Sequence, residues 1–238
     1  MSSNRLESSD LVPDEAHWIP LSDLMTGLMV MFLLIAVTFM VHVETEAYNV
    51  RQVAVAYNEI KDALFEELQA EFKNDLPKWN AQIIKEDLSI RFMEPEVLFA
   101  TGSSELKPEF RDILASFFPR YVRILTSPRF KGSISEVRIE GHTSSGWIGV
   151  ATPDEAYFRN MELSQARTRS ALTYALSLPQ VNEQREWLRR NLTANGLSSS
   201  HPVFDASGAE DAARSRRVEF KVRTDAETRI ARILEVSK

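Results

Sequence analysis

The longest apolar run of the sequence begins directly after an acidic residue. Residues 24–41 contain no charged side chain. At ~1.5 Å per residue this run spans roughly 27 Å, close to the hydrocarbon thickness of a bilayer. Trp18 stands where an interfacial aromatic anchor belongs, and Pro20 is tolerated in the first turn of a helix. The pattern predicts one transmembrane helix over residues 18–43, preceded by a polar tail.

The tail, residues 1–17, argues against a cleaved signal peptide. It is net acidic with Arg5 as its one basic residue, and no small-residue cleavage site follows the apolar run. Basic residues do not decide the orientation of the span, because Arg5 before it is balanced by Arg51 and Lys61 after it.

After residue 43 the pattern becomes that of an amphipathic helix. Apolar side chains recur three or four positions apart as far as Leu76 and Pro77. These positions are Val50, Val53, Ala54, Tyr57, Ile60, Leu64, Phe65, Leu68 and Phe72. The spacing predicts a linker helix over residues 44–86.

From about residue 87 to residue 238 the sequence alternates between strand and helix patterns. Strands are predicted within residues 88–99, 134–143 and 216–224, and helices at 107–125, 154–178, 184–191 and from 226 onward. In the second strand, Val137 and Ile139 lie on one face. The alternation predicts an α/β sandwich, with helices packed on a sheet.

Composition excludes several classes of function. The 238 residues carry a formal net charge of -6 and no cysteine, so neither a disulfide framework nor a thiolate metal site is available. The acidity argues against direct binding to nucleic acid. The four histidines are scattered, and the sequence has neither a nucleophile elbow nor a phosphate-binding glycine loop. We therefore predict a protein that is not an enzyme and holds no metal.

Asp23 stands at the start of the predicted span and has two interpretations. It lies either at the interface, where water and the helix dipole stabilise it, or inside the membrane, where an ionised Asp costs about 2.5–3.5 kcal/mol and is a candidate for function. Its helix face continues through Thr26, Gly27 and Val30, a strip that suits close packing against other helices. A carboxylate packed there could carry protons or another cation.

The segment "LSDLMTGLMVMF", residues 21–32, resembles the transmembrane segment of the MotB family of flagellar stator subunits. Asp23, Met25, Thr26, Met29 and Phe32 are in register with that family's pattern. The resemblance implies that Asp23 carries the translocated H⁺ or Na⁺, that Thr26 lines the ion path, and that no other cofactor is needed. It also implies a homodimer inside a ring of a MotA-like or ZorA-like membrane protein, in the family's five-to-two pattern.

Four motifs in order resemble the OmpA-like peptidoglycan-binding domain: "VLFATGSSELKP", "VRIEGHTS", "NMELSQAR" and "RRVEF". The resemblance implies that Arg167 grips a stem-peptide carboxylate, with Asn160 and Leu163 at the same helix start. Arg217, with Arg216, matches the family's arginine pair, so the resemblance implies that Arg217 binds the ligand; the alternative is that one of the two arginines only orders the loop above the sheet.

The sequence departs from the OmpA-like pattern at Ser144, because the family usually has Asp there to meet the ligand's ammonium group. A neutral hydroxyl loses that charge-assisted bond. Either binding is weaker, or another acid such as Asp154 or Glu155 contributes, or the ligand differs.

Together the two resemblances imply a single-pass protein of the bacterial inner membrane with a cytoplasmic N-terminus and a periplasmic C-terminal domain. The acidic tail and Ser144 make the chain more similar to the ZorB family, the MotB-like subunits of Zorya anti-phage defence systems, than to flagellar MotB. A flagellar stator and a passive OmpA-family wall anchor are the alternatives.

Overall fold

The computed structural model describes residues 18–93 and 98–224, which form two units separated near Arg51. The first unit lies in helix α1, Trp18–Phe72. Within α1, Leu21–Tyr48 has a mean hydropathy of 2.5 and none of it is buried by the rest of the chain. This helix is long and apolar enough to cross a membrane, which confirms the predicted N-terminal apolar helix. The predicted tail lies outside the described residues.

The end of α1 belongs to the core of the second unit. Leu64, Leu68 and Phe72 are each 0% exposed and join the same hydrophobic cluster as the sheet. The helix ends at Phe72, so the linker helix predicted over residues 44–86 is too long. Pro77 disfavours helical backbone before it, and Asn80, with a φ of 46°, turns the chain into a strand.

Ion pairs fix the end of α1 to helix α2, Pro108–Leu125. The Arg120 guanidinium donates to the carboxylates of Glu71, at 2.7 Å, and Asp75, at 2.8 Å, and its carbon lies 4.8 Å from the centre of the Phe72 ring. Partial burial acts to lower the pKa of Arg120, but the hydrogen bonds and charges of Glu71 and Asp75 together raise it above its usual value.

The described residues form one five-stranded mixed sheet. Its strands are β1 (Ala81–Ile84), β2 (Ser89–Met93), β3 (Ile134–His142), β4 (Leu192–Gly196) and β5 (Arg217–Thr224), in the spatial order β1-β2-β5-β3-β4. The β3–β4 pair is parallel and the other pairs are antiparallel. The sequence predicted β2, β3 and β5 but neither edge strand.

The core lies between one face of the sheet and the helices. Phe117 of α2 lies 5.2 Å from Phe72 of α1 and 5.1 Å from Phe220 of β5, measured between ring centres. Val137 and Ile139 of β3 are buried in the same cluster, as their alternation predicts. The opposite face of the sheet carries charged side chains, so the unit is a two-layer α/β sandwich.

Helix α3, Pro153–Ser177, packs on the sheet at two glycines. A Cβ at Gly141 of β3 would lie 2.7 Å from Thr168, and one at Gly196 of β4 would lie 2.2 Å from the backbone nitrogen of Gln165. Since only glycine permits this approach, these two positions set how closely α3 lies on β3 and β4. A short 3₁₀ helix (Pro179–Gln184) and helices α4 (Arg185–Asn191) and α5 (Ala212–Ser215) complete the described elements; the helix predicted from residue 226 lies outside them.

Candidate functional site

A cavity of about 680 Å³ opens where the carboxyl end of β3 meets the first half of α3. Its volume is typical of small-ligand sites. Its polar lining residues are Thr101, Thr143, Ser144, Asn160, Arg167 and Arg216, and the others are Phe99, Gly102, Gly146, Trp147, Ile148 and Leu163. Four of the predicted binding residues, Ser144, Asn160, Leu163 and Arg167, therefore come together.

Arg167 places a nearly buried guanidinium in the wall of this cavity. Its side chain is 8% exposed and lies over the Phe99 ring, 5.0 Å from the ring centre. Its Nε donates to the Ser103 carbonyl at 2.9 Å and its Nη2 to the Ala100 carbonyl at 3.4 Å. Burial, and secondarily the positive charge of Arg216, lower the pKa of Arg167 to about 10. An anionic ligand would relieve this unfavourable burial of charge.

Asn160 holds the loop on the other side of the cavity. Its side chain is 3% exposed, and its Nδ2 donates to the carbonyls of Ser144 at 3.1 Å and Gly146 at 3.4 Å. Glu210 holds the same loop from outside, because its carboxylate accepts hydrogen bonds from the backbone N–H, at 3.0 Å, and the hydroxyl of Ser145. Asn160 is thus placed to position the loop that carries Ser144.

The two acids proposed to replace the missing Asp are not among the cavity-lining residues that the structure describes. Asp154 and Glu155 lie in the first turn of α3, where the Thr152 hydroxyl accepts from the Glu155 backbone N–H at 3.2 Å. The acid that contacts the loop is Glu210, which the sequence motifs did not indicate, because it is far away in the chain.

Arg217 lies away from the cavity, and its neighbour Arg216 lines it instead. The Arg217 side chain is 6% exposed; its Nε donates to Glu219 at 2.5 Å, and its Nη1 donates to the carbonyls of Ser215, at 3.0 Å, and His201, at 3.3 Å. Successive residues of an extended segment point to opposite sides, so Arg216 faces the cavity while Arg217 faces Glu219. The predicted contact of Arg217 with the ligand is therefore not supported by its position.

Glu140, His142 and Glu219 form a buried cluster on the polar face of the sheet. Their potential ligand atoms lie within 4.8 Å of one another, which is close enough for a metal ion. However, Glu219 already pairs with Arg217 and with Arg91, the latter at 3.1 Å. Burial and the neighbouring positive charges lower the pKa of His142 to about 3.

Asp23 and Thr26 lie in the apolar part of α1, which belongs to the first unit, whereas the cavity belongs to the second. Asp23 is exposed on the isolated chain, as are the large apolar side chains that follow it. The Thr26 hydroxyl donates to the Ser22 carbonyl at 2.8 Å, so the helix itself satisfies it.

Comparison with known proteins agrees with both resemblances. Residues 98–216 match the OmpA family. Over 222 residues, 93% of its length, the chain is 46% identical to the Zorya protein ZorB of Escherichia coli (strain ATCC 8739), of which 94% is covered. A solved structure described as a MotB-like protein from Desulfovibrio vulgaris superposes with a TM-score of 0.51 at 25% identity, covering 73% of this chain and 94% of that one.

These likenesses confirm the predicted family and fold class. The apolar α1 fits a single-pass protein of the inner membrane, and the two-layer α/β unit is an OmpA-like domain. The relatives found are not members of enzyme families. From its 46% identity across nearly its whole length, the chain belongs to the ZorB family.

Proposed function

We propose that this protein is the ion-carrying, wall-anchoring subunit of an ion-driven motor complex in a Zorya anti-phage defence system. The observation that carries the proposal is the pairing, in one chain, of an apolar helix that bears Asp23 directly before its uncharged run with a domain whose cavity holds a nearly buried guanidinium. The likeness to ZorB and to a MotB-like protein supports the same assignment.

The cavity is suited to binding a peptide carboxylate of peptidoglycan. A guanidinium has five N–H donors, and the carbonyls of Ser103 and Ala100 account for two hydrogen bonds of Arg167. Remaining donors can grip a carboxylate in fork geometry, and the low exposure of Arg167 strengthens that bond. Leu163 offers apolar contact to the rest of the peptide, whereas Phe99 is 1% exposed and packs against the Arg167 guanidinium. The domain therefore recognises a ligand and leaves it chemically unchanged.

Asp23 is the residue that we assign to ion transfer. Ionising an Asp in the membrane costs about 2.5–3.5 kcal/mol, which an adjacent aqueous path or polar partner must offset. The exposed apolar surface of Leu21–Tyr48 leaves room for such partners. We infer a second copy of the chain and a MotA-like or ZorA-like ring protein, with Thr26 on the ion path. The N-terminus then lies in the cytoplasm and the OmpA-like domain in the periplasm, where the wall is.

The wall-binding part is tested with Arg167→Ala. The full-length protein in detergent is incubated with isolated sacculi, and the bound fraction is measured across protein concentrations. Loss of a charged hydrogen bond worth about 1.5–3 kcal/mol predicts roughly 10- to 100-fold weaker binding. The matched control is Arg169→Ala, an exposed arginine two positions later on the same helix. Equal binding by the two variants, with both still folded, would show that the wall-binding site does not include Arg167.

The ion-carrying part is tested with Asp23→Asn, which preserves shape but removes the charge. Cells that carry the defence system should lose phage protection as completely as a deletion strain, while the protein still co-purifies with its ring partner. Ser22→Asn, a neighbouring polar change, is the control. Full protection with Asp23→Asn would refute the motor assignment and leave a passive anchor. A swimming defect in the deletion strain would favour a flagellar stator instead.

A further inference from the structure

The lining of the cavity in the OmpA-like domain is unbalanced in charge. Among its described lining residues, the charged ones are Arg167 and Arg216, both basic. Glu210 approaches the same loop, but its carboxylate accepts hydrogen bonds from Ser145 and is not part of the lining. A ligand with a carboxylate is favoured here, whereas a second, ammonium-bearing arm would enter a positive field.

Thr143 supplies a second, independent observation. The residue lines the cavity and is 4% exposed, yet its hydroxyl has no hydrogen-bond partner among the described residues. A buried hydroxyl without a partner is costly, so it points to a ligand group that completes it. Ser144 beside it is also a neutral hydroxyl residue. Either an amide N–H or an ammonium group can donate to such hydroxyls, but two neutral hydroxyls leave the charge of an ammonium group uncompensated.

The mouth of the cavity is apolar on the same loop. Trp147 and Ile148 line it, and Ile148 is 97% exposed. A ligand that extends past Ser144 with carbon atoms would cover part of this surface, at ~25 cal/mol per Å² of apolar area removed from water. A ligand arm that ends in a small charged amine offers no such area.

We infer that the cavity selects wall peptides in which the amine next to the bound carboxylate is acylated, so that it enters as an uncharged amide. Resting on the proposed wall-binding function, this inference narrows the ligand class. A stem peptide carries such an amide where it is cross-linked to its neighbour and a free amine where it is not. Ser144 is then a specificity-determining residue, because its neutral hydroxyl does not stabilise a positive charge on the ligand as a carboxylate would.

The test uses two synthetic stem peptides that end in a diamino-dicarboxylic acid, one with its side-chain amine free and one with that amine acetylated. Binding to the full-length protein in detergent is measured by calorimetry. We expect the acetylated peptide to bind about tenfold more tightly to the wild type. Ser144→Asp should shift this ratio by about tenfold toward the free amine, since it adds a charge-assisted bond. The control, Ser135→Asp, lies at the far end of β3 and should leave the ratio unchanged.

The outcomes separate the inference from the function on which it rests. Equal or tighter binding of the free-amine peptide by the wild type overturns the inference, while wall binding stands. An unchanged ratio in Ser144→Asp overturns the role of position 144. If the wild type binds neither peptide and no sacculi, the proposed function itself fails.

Discussion

Leu68→Ala tests whether the end of α1 is a structural part of the OmpA-like domain or only a connection to it. The side chain is 0% exposed and lies one helical turn from Leu64 and from Phe72, both of which are also fully buried. Truncating a buried Leu to Ala costs about 2–5 kcal/mol, and more when the surroundings cannot close the space. The ion pairs of Arg120 hold this turn in place, so we expect about 3–4 kcal/mol.

For a domain of this size, 1 kcal/mol corresponds to about 2–4 °C in melting temperature, so Leu68→Ala should lower it by about 6–16 °C. Near-UV circular dichroism of the full-length protein in detergent follows the aromatic cluster around Phe117. Gln69→Ala, at the exposed neighbouring position, should change stability by no more than about 0.5 kcal/mol. If the two variants melt at the same temperature, the end of α1 does not contribute to the core.

Two further predictions concern the polar face of the sheet. The pKa of His142 is about 3 in the folded protein against 6.5 in a free chain, so the unfolded state binds more protons between these values. The free energy of unfolding should therefore decrease as the pH falls from 6.5 toward 3, by up to about 1.4 kcal/mol per pH unit. The urea midpoint of the His142→Gln variant should depend less steeply on pH than the midpoint of the wild type. Equal pH dependence of the two midpoints would contradict this reasoning. Arg217→Ala should destabilise the domain by about 3–5 kcal/mol, because Glu219 loses its nearest partner. Binding to sacculi by the folded fraction should stay unchanged. Weaker binding at unchanged stability would indicate that Arg217 contacts the ligand after all.

The long helices and the central strands could be predicted from sequence because their periodicity is strong. Helix α2 begins at Pro108, one position from its predicted start, and β3 alternates as Val137 and Ile139 indicate. Strands β1 and β4 are four and five residues long. Both lie at the edges of the sheet and are defined by pairing with β2 and β3, which sequence periodicity does not report.

Within the site, the motifs identified the helix start better than the loops. Asn160, Leu163 and Arg167 share one face of α3, and helical spacing alone brings them together. The ligand contact was predicted for Arg217, but Arg216 lines the cavity instead, because a shift of one residue along a strand moves a side chain to the opposite side. Glu210 could not have been found, since its contact with Ser145 joins loops 65 positions apart.

The loop that carries Ser144 is tied on both sides, by Asn160 and by Glu210. A loop already held in place loses little conformational freedom when a ligand arrives, so more of the contact energy remains to oppose dissociation. Differences in affinity among related complexes lie mainly in the dissociation rate. For the wall anchor that we propose, the quantity that this preorganised loop improves is the lifetime of each attachment under load.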